Sequence, residues 1–196
     1  MPRQARKKSE TGLYHLITKG NGGQILFYDR ADHLFYLSLL ERFSREFSVI
    51  VHAYCLMNNH VHLIVRDING NISTFMRKID TAYSMFFNKK YERSGHVFQD
   101  RFRSEVISSD NYLLTSFRYV LNNPQKAGIC SAEEYEWNSF RFYGDSTSFV
   151  DTGIFTELIG SRDEYRAFIA GENDDECMEF DSGKHDDEWG SKIIQK

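Results

Sequence analysis

The sequence holds one pair of residues whose spacing suits metal chemistry, His60 and His62, which a single valine separates. Residues 60–66 read HVHLIVR, an apolar and β-branched run that predicts a strand. Because residues i and i+2 of a strand point to the same face, the two imidazoles would project side by side as a pair of metal ligands. Two histidines at this spacing are more often surface or packing residues, so the pair alone leaves a metal site open.

A second candidate for chemistry is Tyr119, in the stretch SFRYVLNNPQKAG. Tyr119 and Asn123 are four residues apart at the end of a helix predicted over 111–122, so they share a face. A tyrosine hydroxyl has a pKa of about 10 and is a nucleophile only where a cation or metal stabilises the oxygen. The alternative is a core tyrosine beside an asparagine that ends the helix, which is the usual role of an isolated tyrosine.

Basic and aromatic residues alternate over residues 88–103, NKKYERSGHVFQDRFR. Cations meet phosphates and rings stack on bases, so this composition suits a single-stranded nucleic acid. A solvated face over core aromatic residues explains the same alternation equally well. A smaller pattern near the N-terminus, Tyr14-His15 followed by Lys19-Gly20-Asn21, could touch a phosphate, although an ordinary turn at the end of a strand is the favoured interpretation.

Hydrophobic periodicity places these candidates in a β-α-β-β-α-β-α order of elements, with Met57-Asn58-Asn59 as a hairpin turn. This order matches the split βαβ, ferredoxin-like plan, an α+β fold with an antiparallel sheet and helices on one face. An extra C-terminal helix carries Tyr119. Residues 131–170, with a short helical stretch near 154–169, are expected to pack against the domain. Strands are predicted over 12–18, 48–56, 60–66 and 96–107, and helices over 30–46, 72–91 and 111–122.

Composition excludes several classes of protein. The chain has 196 residues, of which 41% are hydrophobic, enough for the core of one domain. No run of about 18 apolar residues could span a bilayer, and no apolar stretch follows the basic N-terminus as a secretory signal requires. The cysteines Cys55, Cys130 and Cys177 are far apart, which indicates neither a disulfide framework nor a thiolate metal site and fits a reducing cytoplasm.

The net charge of −4 divides unevenly along the chain. Residues 1–126 contain 18 Lys and Arg against 11 Asp and Glu, whereas residues 127–196 contain 6 against 17. A basic body with an acidic end hints at polyanion binding, although this excess of positive charge is also typical of an ordinary solvated surface. Residues 171–188 are acidic with few apolar residues, and we expect a flexible tail there.

Together these motifs resemble the HUH-type single-tyrosine transposases, most closely their REP-associated branch. His60-Val61-His62 matches the His-hydrophobe-His motif, and Tyr119 with Asn123-Pro124 matches the tyrosine helix. The set is specific because its order and spacing agree over about residues 12–145. Asn58 and Asn122 depart from the family, which usually has Pro and Leu there. The further matches are GHVFQDRF (95–102) to GHxFQxRF, the residues Tyr14, His15, Gly20 and Asn21 to YHxxxxGN, and WNSFRFY (137–143) to WSSYRAY.

The resemblance implies a mechanism for residues 12–145, and the acidic tail is not part of the shared pattern. A divalent cation, Mg²⁺ or Mn²⁺, would be held by His60, His62 and Asn123, and Tyr119 would attack single-stranded DNA to give a 5′-phosphotyrosine and a free 3′-OH. The substrate would be hairpin-forming DNA, in the cytoplasm, acted on by a monomer or a homodimer. The expected divisions are a basic arm over 1–11, the catalytic domain over 12–145, a helical extension over 146–170 and an acidic tail over 171–196. The expected DNA-binding residues are Lys19, Lys89, Lys90, Arg93, His96, Phe98, Gln99, Arg101 and Arg103.

Two other functions fit parts of the same pattern. A DNA- or RNA-binding protein could have kept the fold without the cleavage. A metal-dependent hydrolase of a small phosphate ester would use the two histidines, but the long basic and aromatic stretch is superfluous for that activity.

Overall fold

The computed structural model describes residues 8–171, which form a four-stranded antiparallel sheet. The strands are β1 (Leu13–Lys19), β2 (Ile50–Met57), β3 (His60–Arg66) and β4 (Arg103–Val106), and their order across the sheet is β2-β3-β1-β4. Strand β3 is inserted between β1 and β2, and β1 between β3 and β4, which is the split βαβ arrangement. The predicted α+β, ferredoxin-like fold is confirmed.

Two helices cover one face of this sheet, α1 (Arg30–Phe47) and α2 (Ile72–Lys90). Alternate residues of the strands point to this face and bury their side chains against the two helices. Tyr36 of α1 and Tyr83 of α2 meet there, with ring centroids 5.2 Å apart, and both are fully buried. Helix α1 begins with a capping box in which Asp29 and Asp32 bond each other's backbone amides.

The opposite face carries α3 (Asp110–Lys126), which lies across β2 and β3. Its residues Phe117 and Val120 pack into a second core against the sheet. The helix is one turn longer than predicted, since it continues through Pro124 instead of ending at Asn123. A proline removes one hydrogen bond but has a helical φ, and here the Ala127 amide still donates to the Asn123 carbonyl over 3.0 Å and completes the last turn.

The chain after α3 covers the outer edge of β2. The Leu56 amide donates to the Trp137 carbonyl over 2.9 Å, and the Asp151 amide donates to the Val51 carbonyl over 2.9 Å. These bonds satisfy backbone groups of what would otherwise be an open edge strand. Two short helices follow, α4 (Gly153–Ile159) and α5 (Arg162–Ala170), where the sequence predicts one helical stretch. The break falls at Gly160, whose φ of 100° suits glycine.

The segment before β4 is less regular than predicted. Only Arg103–Val106 is a strand, whereas the prediction ran over 96–107. Within 96–102 the backbone makes an isolated bridge between Phe98 and Gly20, and the Asn21 amide donates to the Val97 carbonyl over 2.9 Å. Aromatic residues that alternate with polar ones are typical of a strand. Here Phe98 and Phe102 are buried, but they belong to a loop whose backbone does not continue the ladder of β4.

Some predictions concern residues outside 8–171. The acidic tail from residue 172 onward, Cys177 and residues 1–7 of the basic arm belong to this group. Among the helices of residues 8–171, none is both long enough and apolar enough to cross a membrane.

Candidate active site

The histidine pair begins β3, at one end of the sheet. His62 is fully buried, His60 is half-buried, and their ring centroids are 4.9 Å apart. Both belong to the set of alternate residues that faces α3, because Ile64, two positions after His62, packs into the core on that side. Across the sheet, His60 pairs with Lys19 and His62 with Ile17 of β1. The two imidazoles therefore lie side by side, as the spacing predicts.

Tyr119 reaches this pair from α3. The helix starts at Ser109, whose side chain accepts a hydrogen bond from the Tyr112 amide, and it buries Phe117 and Val120 against the sheet. With those residues in the core, the same side of the helix brings Tyr119 over β3. Its ring centroid lies 5.6 Å from that of His62, and its side chain is 4% exposed. Groups far apart in the sequence thus meet within one chain.

Asn123 lies one helical turn after Tyr119 and is also buried. Its Nδ2 donates to the Tyr119 carbonyl over 2.9 Å. Because the amide nitrogen is used inside the helix, the oxygen Oδ1 is the atom that could bind a cation. The side chain therefore has the chemistry required of the third ligand.

His15 is a member of this cluster that the sequence prediction did not single out as a site residue, since it stood only in the N-terminal pattern for which an ordinary turn was favoured. It is 1% exposed, and its Nε2 lies 3.0 Å from Nδ1 of His62. Its Nδ1 lies 4.0 Å from a carboxylate oxygen of Glu105 on β4. The strand order holds the signal that could have found it, since β1 lies beside β3 in a ferredoxin-like sheet and His15, two positions after Leu13, is on the face towards α3.

The hydrogen bonds of the two imidazoles decide which nitrogens could bind a metal. Nδ1 of His60 lies 2.6 Å from the side-chain oxygen of Asn59, an acceptor, so Nδ1 donates and Nε2 carries the lone pair. If Nδ1 of His62 donates to His15 in the same way, its Nε2 is also a lone-pair atom, and this Nε2 is buried with no hydrogen-bond partner. A buried nitrogen without a partner fits a metal ligand.

Burial keeps His62 in the form that binds metal. It lowers the pKa of the His62 imidazole well below its usual value, and repulsion from neighbouring His60 and His15 adds to the effect. The ring is therefore neutral at physiological pH. Within residues 8–171, no group of three or more His, Cys, Asp or Glu side chains is arranged to hold a metal, so an amide such as Asn123 would have to complete the set.

Lys126 is a second residue that the sequence prediction did not single out. Its Nζ lies 4.4 Å from the centre of the Tyr119 ring, two helical turns further along α3. A cation at this distance favours negative charge near the phenol, which is the activation that a tyrosine nucleophile needs.

Most of the residues predicted to bind DNA are exposed. Lys19 ends β1 opposite His60, and its carbonyl accepts from the Gln99 amide over 2.9 Å, which joins the 95–102 segment to this end of the sheet. The exposed members of the predicted set are Lys89, Arg93, His96, Gln99, Arg101 and Arg103.

Two of the predicted DNA contacts have other partners. Lys90 makes ion pairs of 2.7 Å with both Asp29 and Asp32, which tie the end of α2 to the start of α1. Phe98 is 8% exposed and packs 6.1 Å from the Tyr83 ring, so it is not free to stack on a base. The alternation of basic and aromatic residues could not distinguish Lys90 and Phe98 from their exposed neighbours, because a sequence does not show which ring is buried or which lysine forms an ion pair.

Comparison with known proteins identifies the class. The family of IS200-like transposases matches residues 9–123, which is more than half of the chain and includes every residue of the cluster described above except Lys126. The chain therefore belongs to the IS200-like transposase family. No curated protein matches it by sequence.

A solved structure agrees with this assignment in fold. The structure of a REP-associated tyrosine transposase bound to a REP hairpin matches with a TM-score of 0.64 and 15% identity, covering 78% of this chain and 92% of that one. At this identity the match shows a shared fold. A second structure, described as a transposase from Deinococcus radiodurans, has 17% identity, covers 61% of this chain and 96% of that one, and has a TM-score of 0.41, too low to carry an argument.

Proposed function

We propose that this transposase cleaves and rejoins single-stranded DNA through a 5′-phosphotyrosine on Tyr119, and that its substrate is hairpin-forming DNA. The observation that carries the proposal is the approach of the Tyr119 ring to within 5.6 Å of the His62 ring in a single chain. The hairpin substrate is suggested by the REP hairpin bound in the structurally similar protein. Because Tyr119 and the histidines belong to the same chain, the site does not require a second copy.

The covalent step exchanges one phosphodiester for another. The Tyr119 oxygen forms a bond to the phosphorus while the bond from phosphorus to the 3′ oxygen of the preceding nucleotide breaks. The phenolic proton leaves, and the departing 3′ oxygen gains a proton and becomes a free 3′-OH. Attack by the 3′-OH of another strand reverses the step and joins the DNA, with no water or nucleotide consumed.

A divalent metal fits the residues that surround Tyr119. His60, His62 and the Oδ1 atom of Asn123 would hold Mg²⁺ or Mn²⁺, since two neutral imidazoles and an amide oxygen are suitable donors. When bound, the metal would act as a Lewis acid on the scissile phosphate. The chain's own contribution is to present Tyr119 at a fixed position and to place the Lys126 cation near its ring.

DNA-backbone contacts in this proposal come from the exposed cations on α2 and in the segment before and into β4, namely Lys89, Arg93, Arg101 and Arg103. Lys19 and His96 would contribute near the catalytic end, and Gln99 would contact a base. An activity on cellular DNA would place the protein in the cytoplasm.

The test uses a labelled hairpin oligonucleotide, Mn²⁺ and a denaturing gel. The wild-type chain should form a covalent protein–DNA adduct, EDTA should prevent it, and Tyr119→Phe should abolish it. Tyr112→Phe, on the same helix, is the matched control and should keep the adduct. Binding of the hairpin without any adduct would instead favour a nucleic-acid-binding protein without nuclease activity, and an adduct that survives Tyr119→Phe would assign the nucleophile elsewhere.

A further inference from the structure

His15 and Glu105 each have a buried polar atom that lacks a hydrogen bond, and these two atoms are close together. Nδ1 of His15 and Oε2 of Glu105 lie 4.0 Å apart, and neither has a hydrogen-bond partner within residues 8–171. A buried polar atom of this kind carries a free-energy cost unless a partner satisfies it. The proximity of the two atoms indicates that each is the partner of the other.

The sheet holds the two side chains side by side. His15 and Glu105 are directly opposite each other in the pairing of β1 with β4, so they project from the same face. The side chain of His15 is fully buried, whereas that of Glu105, on the edge strand, is 22% exposed. The imidazole is therefore fixed by its packing and the carboxylate has room to move. The gap between them is about 1 Å longer than a hydrogen bond, which a rotation of the Glu105 side chain can close.

The contact between His15 and His62 has two arrangements that differ in where the hydrogen atoms lie. Nε2 of His15 is 3.0 Å from Nδ1 of His62, and a neutral imidazole carries hydrogen on only one of its nitrogens. In the first arrangement His62 donates from Nδ1, so its Nε2 keeps a lone pair and the hydrogen of His15 is on Nδ1. In the second arrangement His15 donates from Nε2, and the hydrogen of His62 is on Nε2, where it prevents metal binding.

Glu105 distinguishes these two arrangements, because a carboxylate only accepts hydrogen bonds. In the first arrangement the hydrogen on Nδ1 of His15 is directed to Oε2 of Glu105, and both atoms gain a partner. In the second arrangement Nδ1 of His15 presents a lone pair to the carboxylate, so two acceptors meet with no hydrogen between them. Both atoms then stay buried without a partner, and the first arrangement is favoured.

We propose that Glu105 is a positioning residue that selects the metal-binding tautomer of His62 through His15. Nδ1 of His15 donates to the Glu105 carboxylate, and Nδ1 of His62 donates to Nε2 of His15. These two hydrogen bonds leave a lone pair on the buried Nε2 of His62, where a metal can bind. The inference rests on the proposed function, since it takes His62 as a metal ligand. It adds a residue of β4 that acts through His15 without touching the metal.

The first measurement is the tautomer of each histidine in the full chain without metal. Long-range proton–nitrogen correlation spectra, recorded in EDTA at neutral pH on protein labelled with nitrogen-15 at histidine, distinguish a ring nitrogen that carries hydrogen from one that does not. Signals that disappear in His15→Gln and in His62→Gln are thereby assigned. We expect the wild type to carry hydrogen on Nδ1 of both residues. Hydrogen on Nε2 of His62, or on both nitrogens of His15, would overturn the proposal.

The second measurement compares variants of Glu105. Glu105→Leu removes the acceptor, so hydrogen should appear on Nε2 of His62, and Mn²⁺ affinity measured by isothermal titration should fall about tenfold. Glu105→Gln should lie between the wild type and Glu105→Leu in both measurements, because an amide accepts from one tautomer of His15 and donates to the other. Glu46→Leu, which removes a carboxylate from the exposed side of α1, is the control and should change neither.

Thermal melting shows which variants are folded, and Glu105→Gln decides the question where Glu105→Leu does not fold. Folded variants of Glu105 that keep hydrogen only on Nδ1 of His62 and bind Mn²⁺ like the wild type would overturn the role of Glu105. If the wild type still forms the Tyr119 adduct, that result leaves the proposed function intact. A wild type that binds no Mn²⁺ and forms no adduct removes the proposed function, and the role of Glu105 with it.

Discussion

His62 shows how a single residue in this site depends on its neighbours. One nitrogen of its ring meets His15, which leaves the other nitrogen buried and without a partner. Hydrogen bonds of this kind commonly orient metal-binding histidines and fix which nitrogen carries the lone pair. His15 is therefore a positioning residue in the proposed site, with Glu105 next to it at 4.0 Å.

We expect His15→Ala to weaken Mn²⁺ binding by about 10- to 100-fold, because the His62 ring loses the contact that holds its orientation. His15→Gln should restore most of the affinity, since an amide can accept the same hydrogen bond. Isothermal titration of the metal into the protein without DNA measures both variants. Thermal melting controls for folding, and unchanged Mn²⁺ affinity in a folded His15→Ala protein would contradict the positioning role.

Asp80 of α2, whose Oδ1 is buried without a hydrogen-bond partner, should make the stability of the protein depend on pH. Its pKa rises from 3.8 in the unfolded chain to about 8 in the folded one, so the folded state keeps a proton that the unfolded state releases. The stability contributed by this group is therefore complete below about pH 4 and declines as the pH rises to about 8. Asp80→Asn, which cannot ionise, should gain about 3–4 kcal/mol relative to wild type between pH 5 and pH 8, since wild type loses about 1.4 kcal/mol per pH unit over this interval.

Urea unfolding of both proteins at several pH values measures this difference. The comparison between the two proteins cancels the titration of other groups. A stability difference that stays constant from pH 5 to pH 8 would show that Asp80 is ionised in the folded protein.

At the scale of elements, the position of α3 determines whether a site exists. The C-terminal extension fixes this helix, since the Phe117 and Phe155 rings stack 3.5 Å apart and the Asn122 side chain donates to the Ile169 carbonyl over 2.7 Å. Asn122 is one of the two departures from the family pattern, and here its amide joins α3 to the end of α5. The helix is thus held against its own sheet by residues outside the predicted catalytic domain.

Helix α2 ends with two adjacent lysines that differ in exposure and in ion-pair partners. Lys89 is exposed, whereas Lys90 bonds the capping residue Asp29 and the fully buried Asp32 side chain. We expect Lys90→Gln to lower the free energy of unfolding by about 1–2 kcal/mol, because it leaves Asp32 without its cation, and to change DNA affinity little. Lys89→Gln should leave stability unchanged and reduce the salt dependence of DNA binding by about one phosphate contact.

Urea unfolding and anisotropy over a series of salt concentrations separate the two effects. Each lysine serves as the control for the other, since they are adjacent and carry the same charge. Equal loss of DNA affinity in both variants, with no loss of stability in Lys90→Gln, would restore Lys90 to the DNA-binding surface.

Positive and negative charges are unevenly distributed along the whole chain, and this distribution should affect DNA binding. Residues 172–196 contain nine Asp and Glu and three Lys, so they carry much of the negative charge of the chain. Negative charge on the same molecule competes with DNA for the basic surface and slows its approach at low salt.

Deletion of residues 172–196 should therefore raise the association rate with single-stranded DNA by a few fold at low ionic strength, and the gain should vanish in about 0.5 M salt, where charges are screened. Stopped-flow fluorescence measures the rates. A full-length variant in which the nine acids become Asn or Gln is the matched control and should behave like the deletion. Equal rates for wild type and both variants at low salt would exclude an electrostatic effect of this segment.

Local sequence patterns were enough to predict the fold class and to pick out the histidine pair and Tyr119 as candidates for chemistry. The alternation of HVHLIVR and the helical spacing after Arg30 and Ile72 are properties of short stretches, because the periods of strands and helices are set by backbone geometry. The predicted strand and helix order was therefore right. For the same reason, the sequence was enough to predict that His60 and His62 point to the same face of a strand.

Only the tertiary structure decided which residues share the site and which do not. His15 joins it because β1 lies beside β3, and Lys126 joins it because α3 continues through Pro124. The same packing gives Lys90 ion-pair partners and buries Phe98, two residues of the predicted DNA-binding set. These contacts join segments that are distant in the sequence. The hydrophobic periodicity of one segment does not encode which distant segment it packs against.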